Sequence, residues 1–392
     1  MILQNIISQS NEEAVYTEQP HIEWGGALTG DYTALSGMTK RTVFIPTTEN
    51  IDTYNHHIQS KQYYGDDIHV IFSTHEADEK GFGSRIRYSK STDNGLTWST
   101  PIQLLEAQDD SSKDFTTNVG RQSIAVGFGI YNNELYAIIS VDELGNIGGG
   151  EVAPRTGIGM LAVKINNNST FGTPYFIDTP QSDFIAPTSI SGYPQYTFNE
   201  TLRSGLREYF INNQDTNDLI SYFSTSESDT LYARVDYLTH TLSEPTSTKL
   251  PSGQFIKLWK PKGSSGVQYK VAQTSENGIN WGNTYLTEIP DVYSRTRILK
   301  LSNNEVVLLG NNQGSIRDPL YIALSIDGLN YTANNIYQID KTTYSYQFSG
   351  EGKSQGAQHP SVIELNNGKI IVLYNFNKEE VYSSVFDKPT IN

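Results

Sequence analysis

The sequence contains no cysteine. This absence excludes a disulfide framework, a thiolate zinc site and a cysteine nucleophile. Charged residues are also scarce, at 18% of the 392 residues, and most of them are acidic. The 43 Asp and Glu against 28 Lys and Arg give a formal net charge of −15. Because a negative field repels phosphate, we expect neither a nucleic-acid partner nor binding to an anionic membrane.

Long apolar runs are missing as well. Stretches such as residues 368–374 have the length of a strand, well short of the ~20 residues that a membrane-spanning helix needs. The first residues have neither the basic region nor the continuous apolar core of a signal peptide. We therefore predict no membrane segment and no leader, as in a protein that is cytoplasmic, exported by another route or part of a virion.

Helical periodicity is almost absent, and short β-branched and aromatic runs take its place. Residues 68–72, 135–139 and 306–309 are such runs, and each follows a turn signal made of Gly, Asp or Asn. Strands spaced in this way by turns indicate an all-β sandwich, barrel or propeller.

A repeated turn motif selects the propeller. Residues 91–98 read Ser-Thr-Asp-Asn-Gly-Leu-Thr-Trp, and residues 274–281 give the same frame with Glu276 in the place of Asp93. Residues 325–331 form a version one residue shorter. In a hairpin turn the acid accepts backbone N–H bonds and glycine takes a left-handed conformation. The motif is the Asp-box, and on it the chain resembles the sialidase (BNR-repeat) superfamily of six-bladed β-propellers.

A second unit consists of a polar residue followed by an apolar strand, a turn and another strand. Six starts predict six four-stranded antiparallel blades in a single domain over residues 1–392. The last blade lacks a strand, and we expect the N-terminal segment, residues 1–50, to close it with a strand at 41–45. The predicted starts are His57, Arg121, Arg207, Lys257, Arg295 and His359.

The innermost strands of a propeller begin on one face of the axis, so the polar starts should converge in one pocket. A cationic pocket in an acidic protein predicts an acidic glycan as the partner. The same residue types also bond loop carbonyls around a propeller channel, so a structural role for some of them is the alternative. The predicted substrate-binding residues are His56, Arg85, Arg121, Arg295, Arg297, Arg317, Lys378 and Glu379.

The resemblance implies three arginines on a substrate carboxylate, a Tyr nucleophile with a Glu partner, and an Asp acid/base. The slot of the first arginine best matches residues 54–57, which supply His56 and His57 instead. The slot of the nucleophile holds His359, and Tyr344 and Tyr346 upstream are the tyrosines that would take its place. These two departures argue against the hydrolysis of sialic acid by the family's mechanism.

Three chemistries remain open. Hydrolysis would use paired carboxylates among Asp318, Glu351 and Glu379. β-Elimination on a uronic acid would use His57 or His359 as the base and Tyr346 as the acid, with Arg121 or Arg295 on the carboxylate. A zinc site would use His56, His57 and His359.

We predict a sialidase-like protein that acts on an acidic glycan or binds it, and a divergent glycoside hydrolase is the favoured function. A non-catalytic glycan-binding protein, such as a phage tail component, and a His/Tyr/Arg polysaccharide lyase are the alternatives. The sequence predicts no cofactor.

Overall fold

A computed structural model describes most of the chain. The described residues are 20–28, 30–48, 51–76, 84–107, 120–144, 156–178, 196–212, 231–235, 238–262, 268–278, 280–292, 294–312, 317–341, 345–350 and 352–392. Among them, no helix combines the length and the apolar character that crossing a membrane requires.

The chain begins with three short strands: β1 (Glu23–Trp24), β2 (Thr33–Ala34) and β3 (Thr39–Phe44). Blade 1 follows, with β4 (Tyr54–Gln62), β5 (Ile68–His75), β6 (Arg85–Ser91) and β7 (Ile102–Leu105). Blade 2 contains β8 (Gly120–Tyr131), β9 (Glu134–Leu144), β10 (Thr156–Ile165) and β11 (Tyr175–Asp178).

Helix α1 (Glu200–Asn212) precedes blade 3, which contains β12 (Leu231–Val235), β13 (Leu238–Lys249), β14 (Phe255–Lys262), β15 (Gln268–Ser275) and β16 (Tyr285–Asp291). Blade 4 is built from β17 (Arg297–Lys300), β18 (Val306–Asn311), β19 (Leu320–Ser325) and β21 (Ile336–Asp340), with β2 added in parallel at its edge. A short strand, β20 (Asn330–Tyr331), pairs with β1.

Blade 5 contains β22 (Ala357–Glu364), β23 (Lys369–Phe376) and β24 (Glu380–Asp387), and β3 is its fourth strand. The strand expected at residues 41–45 is thus β3, in which Thr42 pairs with Tyr382 of β24. An early segment of the chain thereby covers the edge that β24 would otherwise leave open.

The prediction of six blades was wrong for the described residues, which form five. Two of the expected blade starts lie elsewhere. Arg207 is exposed on α1, whose Leu202, Leu206 and Phe210 are spaced for one apolar helical face. Lys257 lies in β14, inside blade 3 rather than at its axial edge. The local residue types predict a strand near Lys257 but not the place of that strand in the blade, and near Arg207 they belong to a helix.

Neighbouring blades meet through strands β4, β8, β13, β17 and β22, which we call the axial strands. β13 contacts β17, β17 contacts β22, β22 contacts β4, and β4 contacts β8. Between blades 2 and 3, α1 packs against β8, and its Phe210 shares an apolar cluster with Phe255 of β14. The apolar core therefore lies between adjacent blades rather than at one centre.

Three turns at the ends of β6, β15 and β19 share one hydrogen-bond pattern. The first serine of each turn, Ser91, Ser275 or Ser325, accepts a bond from a glycine N–H at 2.8–2.9 Å. Asp93 and Asp327 accept bonds from backbone N–H groups across the loop. In the middle turn Asn277 takes this part, by accepting from Asn280 N at 2.9 Å. The prediction that Glu276 occupies the position of Asp93 was wrong. The first turn has one more residue, Asn94, before its glycine, so Asn277 is the counterpart of Asp93.

These turns lie at the end of the blades opposite to the start of the axial strands. In blade 1, Gln62 at the end of β4 pairs with Ile68, which pairs with Ser91 of the turn. Trp98, after the turn, donates its indole N–H to Ser383 of blade 5 at 3.0 Å. The first of these turns therefore joins blades 1 and 5.

Candidate functional site

Three axial strands carry the same irregularity near the end of the blades opposite to these turns. His57 in β4, Glu244 in β13 and His359 in β22 have φ values of 50°, 49° and 50°. At this point two consecutive residues of each axial strand have no paired partner, and they lie opposite a single residue of the neighbouring strand. Each is a β-bulge, a device that turns a side chain out of the normal alternation.

The bulges explain how adjacent histidines come together. Alternation along a strand would send His56 and His57 to opposite faces of the sheet. The left-handed residue breaks this alternation, and the two rings lie 3.9 Å apart between centroids. In two of the bulges proline follows, as Pro245 and Pro360. Proline donates no N–H, so its place in a bulge leaves no ladder bond unmade.

The bulged side chains meet. The rings of His57 and His359 stack with their centroids 5.4 Å apart and 14° between their planes. His57 Nε2 lies 4.0 Å from Glu244 Oε1. Side chains from blades 1, 3 and 5, far apart in sequence, thus share one site, which we call the axial cluster.

Two cations complete the axial cluster. Lys260 of β14 forms an ion pair with Glu244, and 26% of the Glu244 side chain and 11% of the Lys260 side chain stay exposed. Arg317, ahead of β19, has Nη1 3.3 Å from His359 Nε2 and also donates to Gln358. The cluster therefore reaches solvent and carries more positive than negative charge.

The surroundings decide which of these groups is charged. Burial, with the charges of Arg317 and Lys378, moves the pKa of His359 well below its ordinary value of 6.5. Burial also lowers the pKa of His56, with His57 and His75 adding to the effect. Burial alone would raise the pKa of Glu244, but Lys260 and His57 hold it well below its usual range. At neutral pH His359 is thus a neutral base beside the guanidinium of Arg317.

His56 and Lys378 stand behind this cluster. His56 Nε2 is 3.1 Å from His75 Nε2, and His75 also approaches the Ser84 hydroxyl at 3.3 Å. Lys378 donates to the Tyr54 hydroxyl at 2.6 Å and to the Gly352 carbonyl at 2.8 Å. Both predicted binding residues are buried and bonded to protein groups.

Arg297 ties axial strands to one another. Its Nε donates to the Pro360 carbonyl of β22 at 3.0 Å, and its Nη2 donates to Gln59 of β4. Gln59 in turn donates to the Ala125 carbonyl of β8 at 3.2 Å. These bonds match the structural role that the sequence left as an alternative. Arg295, just before β17, is buried as well.

Glu379, in the turn between β23 and β24, is bonded to the loop that carries Tyr346. Glu379 forms a buried ion pair with Lys353 and accepts bonds from the backbone N–H groups of Gln347 and Phe348 at 2.9 and 3.0 Å. Tyr346 is 41% exposed on this loop. Burial and the charge of Glu379 raise the pKa of Tyr346, and the charge of Arg317 acts in the opposite sense.

Of the remaining predicted residues, some are described by their own contacts or burial, and others have side chains outside the described part of the chain. Arg85 and Arg87 form ion pairs with the buried Asp52. Asp318 is buried next to Arg317. Arg121 is in β8, but its side chain lies outside the described part, and so does Glu351.

The described residues do not form the zinc site weighed from the sequence. Within those ranges, no group of three or more His, Asp or Glu side chains is arranged to hold a metal ion. The near-parallel stacking of His57 and His359 explains this, because stacked rings do not aim their nitrogens at a common point.

Sequence reasoning missed Glu244 and Lys260. A signal for Glu244 was present: Glu244-Pro245-Thr246 repeats the pattern of His359-Pro360-Ser361, a polar residue, proline and a hydroxyl residue. Lys260 carries no such local pattern, since only its pairing opposite Ser243 places it beside the bulge.

No family model and no curated protein matches the sequence. Solved structures do match. A protein described as a sialidase is 17% identical, with a TM-score of 0.70 over 94% of this chain, which spans only 35% of that protein. The intramolecular trans-sialidase from Ruminococcus gnavus is 10% identical, with a TM-score of 0.52 over 89% of this chain and 98% of its own.

The NanB sialidase from Streptococcus pneumoniae is also 10% identical, with a TM-score of 0.53 over 88% of this chain and 70% of its own. Similarity at these identities concerns the fold. The antiparallel blades and the axial strands agree with it. The chain therefore has the fold of a divergent sialidase-like β-propeller.

Proposed function

We propose that the chain is a carbohydrate-active protein that binds an acidic sugar at the axial cluster and cleaves its glycosidic bond. One observation carries this proposal: the neutral imidazole of His359 lies beside the guanidinium of Arg317, with Nε2 and Nη1 3.3 Å apart. A cation holds a carboxylate or sulfate, and a neutral imidazole next to it accepts a proton.

In the proposed hydrolysis, Arg317 binds the anionic group of the sugar and His359 takes a proton from a water molecule. The resulting hydroxide attacks the anomeric carbon while the bond to the leaving oxygen breaks. That oxygen takes a proton from an acid, for which Asp318, Glu351 and Tyr346 are the candidates. Glu244, kept anionic by Lys260, would stabilise the positive charge that develops on the ring.

The solved neighbours support a carbohydrate as the substrate through their printed names, sialidase and trans-sialidase. The chain itself has His359 in the slot of the nucleophile, so we propose a chemistry other than that of a tyrosine nucleophile. β-Elimination from a uronate is the second candidate. It is favoured by the same neutral base beside a cation, since the base would take the proton next to the carboxylate.

A screen of purified protein on carboxylated and sulfated polysaccharides tests the proposal. New reducing ends indicate hydrolysis, and a new ultraviolet absorbance of unsaturated uronate indicates elimination. We expect His359→Gln to lower the rate about 100-fold or more. His69→Gln is the matched control, because His69 is equally buried but bonded to Tyr88 within blade 1. Binding to a polysaccharide column without any product would overturn cleavage, and neither binding nor product would overturn the proposal.

A further inference from the structure

The buried side chain of Asn375 lies on the far side of His359 from Arg317. Asn375 Nδ2 is 3.2 Å from His359 Nδ1, and the Asn375 Oδ1 atom is buried with no hydrogen-bond partner among the described residues. Both nitrogens of the His359 ring therefore face a polar neighbour. A guanidinium stands at Nε2 and a carboxamide at Nδ1.

The Arg317 side determines what Nε2 does. A guanidinium has only N–H donors, so the contact at 3.3 Å is a hydrogen bond only if Nε2 accepts. A doubly protonated imidazolium would set N–H against N–H there and bring two positive charges together. The ring is therefore neutral, and its single proton is on Nδ1.

An Nδ1–H group needs an acceptor, and the Asn375 carboxamide is the group in reach. The two ends of a carboxamide have nearly the same shape, and hydrogen bonding decides between them. With Oδ1 turned toward His359, Nδ1–H has its acceptor and the buried oxygen gains its missing donor. With Nδ2 turned toward His359, donor faces donor and the oxygen stays unpaired.

We propose that Asn375 is a positioning residue that, together with Arg317, holds His359 in the Nδ1–H tautomer. When Arg317 turns its N–H group to the anionic sugar, the lone pair of Nε2 becomes free, so that Nε2 is the atom that accepts the substrate proton. The statement that Nε2 accepts the substrate proton rests on the proposed function. The tautomer itself is a property of the protein without substrate.

Both partners of the ring are held by blade 5 and by the residues just before it. Asn375 in β23 pairs across the sheet with Gln358, the residue before His359. Gln358 accepts a hydrogen bond from Arg317, and the Arg317 N–H donates to the Gln355 carbonyl at 3.0 Å. The pairing of these two strands and the bonds of Arg317 thus fix the positions of the His359 ring and of both its neighbours. As a result, the lone pair of Nε2 points toward Arg317, the residue proposed to bind the anionic sugar.

Nitrogen-15 NMR of the histidine side chains tests the tautomer without any sugar. We expect a protonated Nδ1 and an unprotonated Nε2 for His359, identified by the loss of its signals in His359→Gln. His69 is an internal control with the opposite tautomer. Its Nδ1 is 2.8 Å from the Tyr88 hydroxyl, while its Nε2 can donate to the Tyr63 carbonyl at 3.3 Å. A His359 signal with the proton on Nε2 would overturn the proposal.

Two variants separate positioning from packing. Asn375→Leu keeps the branched shape and removes the acceptor, so we expect the Nδ1–H tautomer to be lost and kcat to fall about 10- to 100-fold with KM little changed. Asn375→Asp keeps an acceptor, so it should retain the tautomer and move the acid limb of the pH profile to higher pH. An unchanged tautomer in Asn375→Leu would contradict the inference. If no sugar is cleaved but the tautomers are as expected, the proposed function fails and the positioning role stands.

Discussion

At the scale of single residues, the site depends on a backbone conformation that side chains seldom adopt. His57, Glu244 and His359 all lie in the left-handed region. Such a conformation costs on the order of 1–2 kcal/mol for a residue with a Cβ atom. The strand pairing on both sides of each bulge holds the strained conformation, and each of the three bulges turns a polar side chain into the same cluster.

In a regular strand a glycine variant is less stable than an alanine variant. At Glu244 we expect the opposite order. Both Glu244→Gly and Glu244→Ala lose the ion pair with Lys260, but only glycine relieves the strain at φ 49°. We expect Glu244→Gly to be more stable than Glu244→Ala by about 1 kcal/mol, measured by urea unfolding.

Lys249, at the regular end of the same strand, provides the control for this comparison. There alanine should be the more stable replacement, by about 0.5–1 kcal/mol. Equal stability of the two variants at Glu244 would show that the bulge is not strained.

At the scale of elements, the sequence located strands well but could not say which strand faces the axis. The run after Lys257 is a strand, β14, yet Lys257 is buried between blade elements with Nζ 3.9 Å from the Trp281 ring centroid and 5.3 Å from that of Trp259. Strand character depends on nearby residues, whereas the position of a strand in its blade depends on pairing with distant ones.

Lys257 should weaken the folded state at neutral pH. Burial lowers its pKa from 10.5 to about 7. The unfolded chain therefore binds more protons between these values, and stability falls as the pH is lowered from 10.5 to 7. The penalty is at most about 5 kcal/mol, and contact with two indoles offsets about 1–2 kcal/mol of it.

We expect Lys257→Met to raise the free energy of unfolding at pH 7 by about 2–3 kcal/mol, because methionine fills the same space without charge. Urea unfolding at pH 7 and pH 9.5 should show the gain shrinking at the higher pH. Lys249→Met is the control, since Lys249 Nζ lies 5.3 Å from the Phe255 ring centroid but the residue is only partly buried. A gain independent of pH would refute the electrostatic explanation.

At the scale of the whole molecule, the blades are connected by polar bonds as well as by the apolar clusters between them. Arg297 of blade 4 is bonded to blades 5 and 1, and Gln59 extends the connection to blade 2. Trp98 adds a bond between blades 1 and 5 at the opposite end. Closure by β3 completes the last blade with residues from the N-terminal part of the chain.

Removing the Arg297 side chain should therefore destabilise several blades together. Arg297→Met leaves the Gln59 side chain and the Pro360 carbonyl without their donor, and we expect a loss of about 3 kcal/mol. Hydrogen exchange should show β4 and β22 losing protection together.

The control for this variant is Arg203→Met, since Arg203 pairs with Glu200 on the exposed face of α1. Its replacement should lower the free energy of unfolding by no more than about 0.5 kcal/mol. A similarly small effect of Arg297→Met would mean that the apolar clusters alone hold the blades together.

The sequence by itself determined the all-β class, the turn positions and the histidines that meet in the axial cluster, because these follow from patterns a few residues long. Asp93 and Asp327 take the predicted parts in their turns, and His57 meets His359 as expected from blade starts.

Only the tertiary structure decided the number of blades in the described residues, the exclusion of Arg207 and Lys257 from the axis, and the inclusion of Glu244 and Lys260. These outcomes depend on strand pairing and on bulges. A bulge changes the direction of a side chain through backbone angles that residues distant in sequence hold in place.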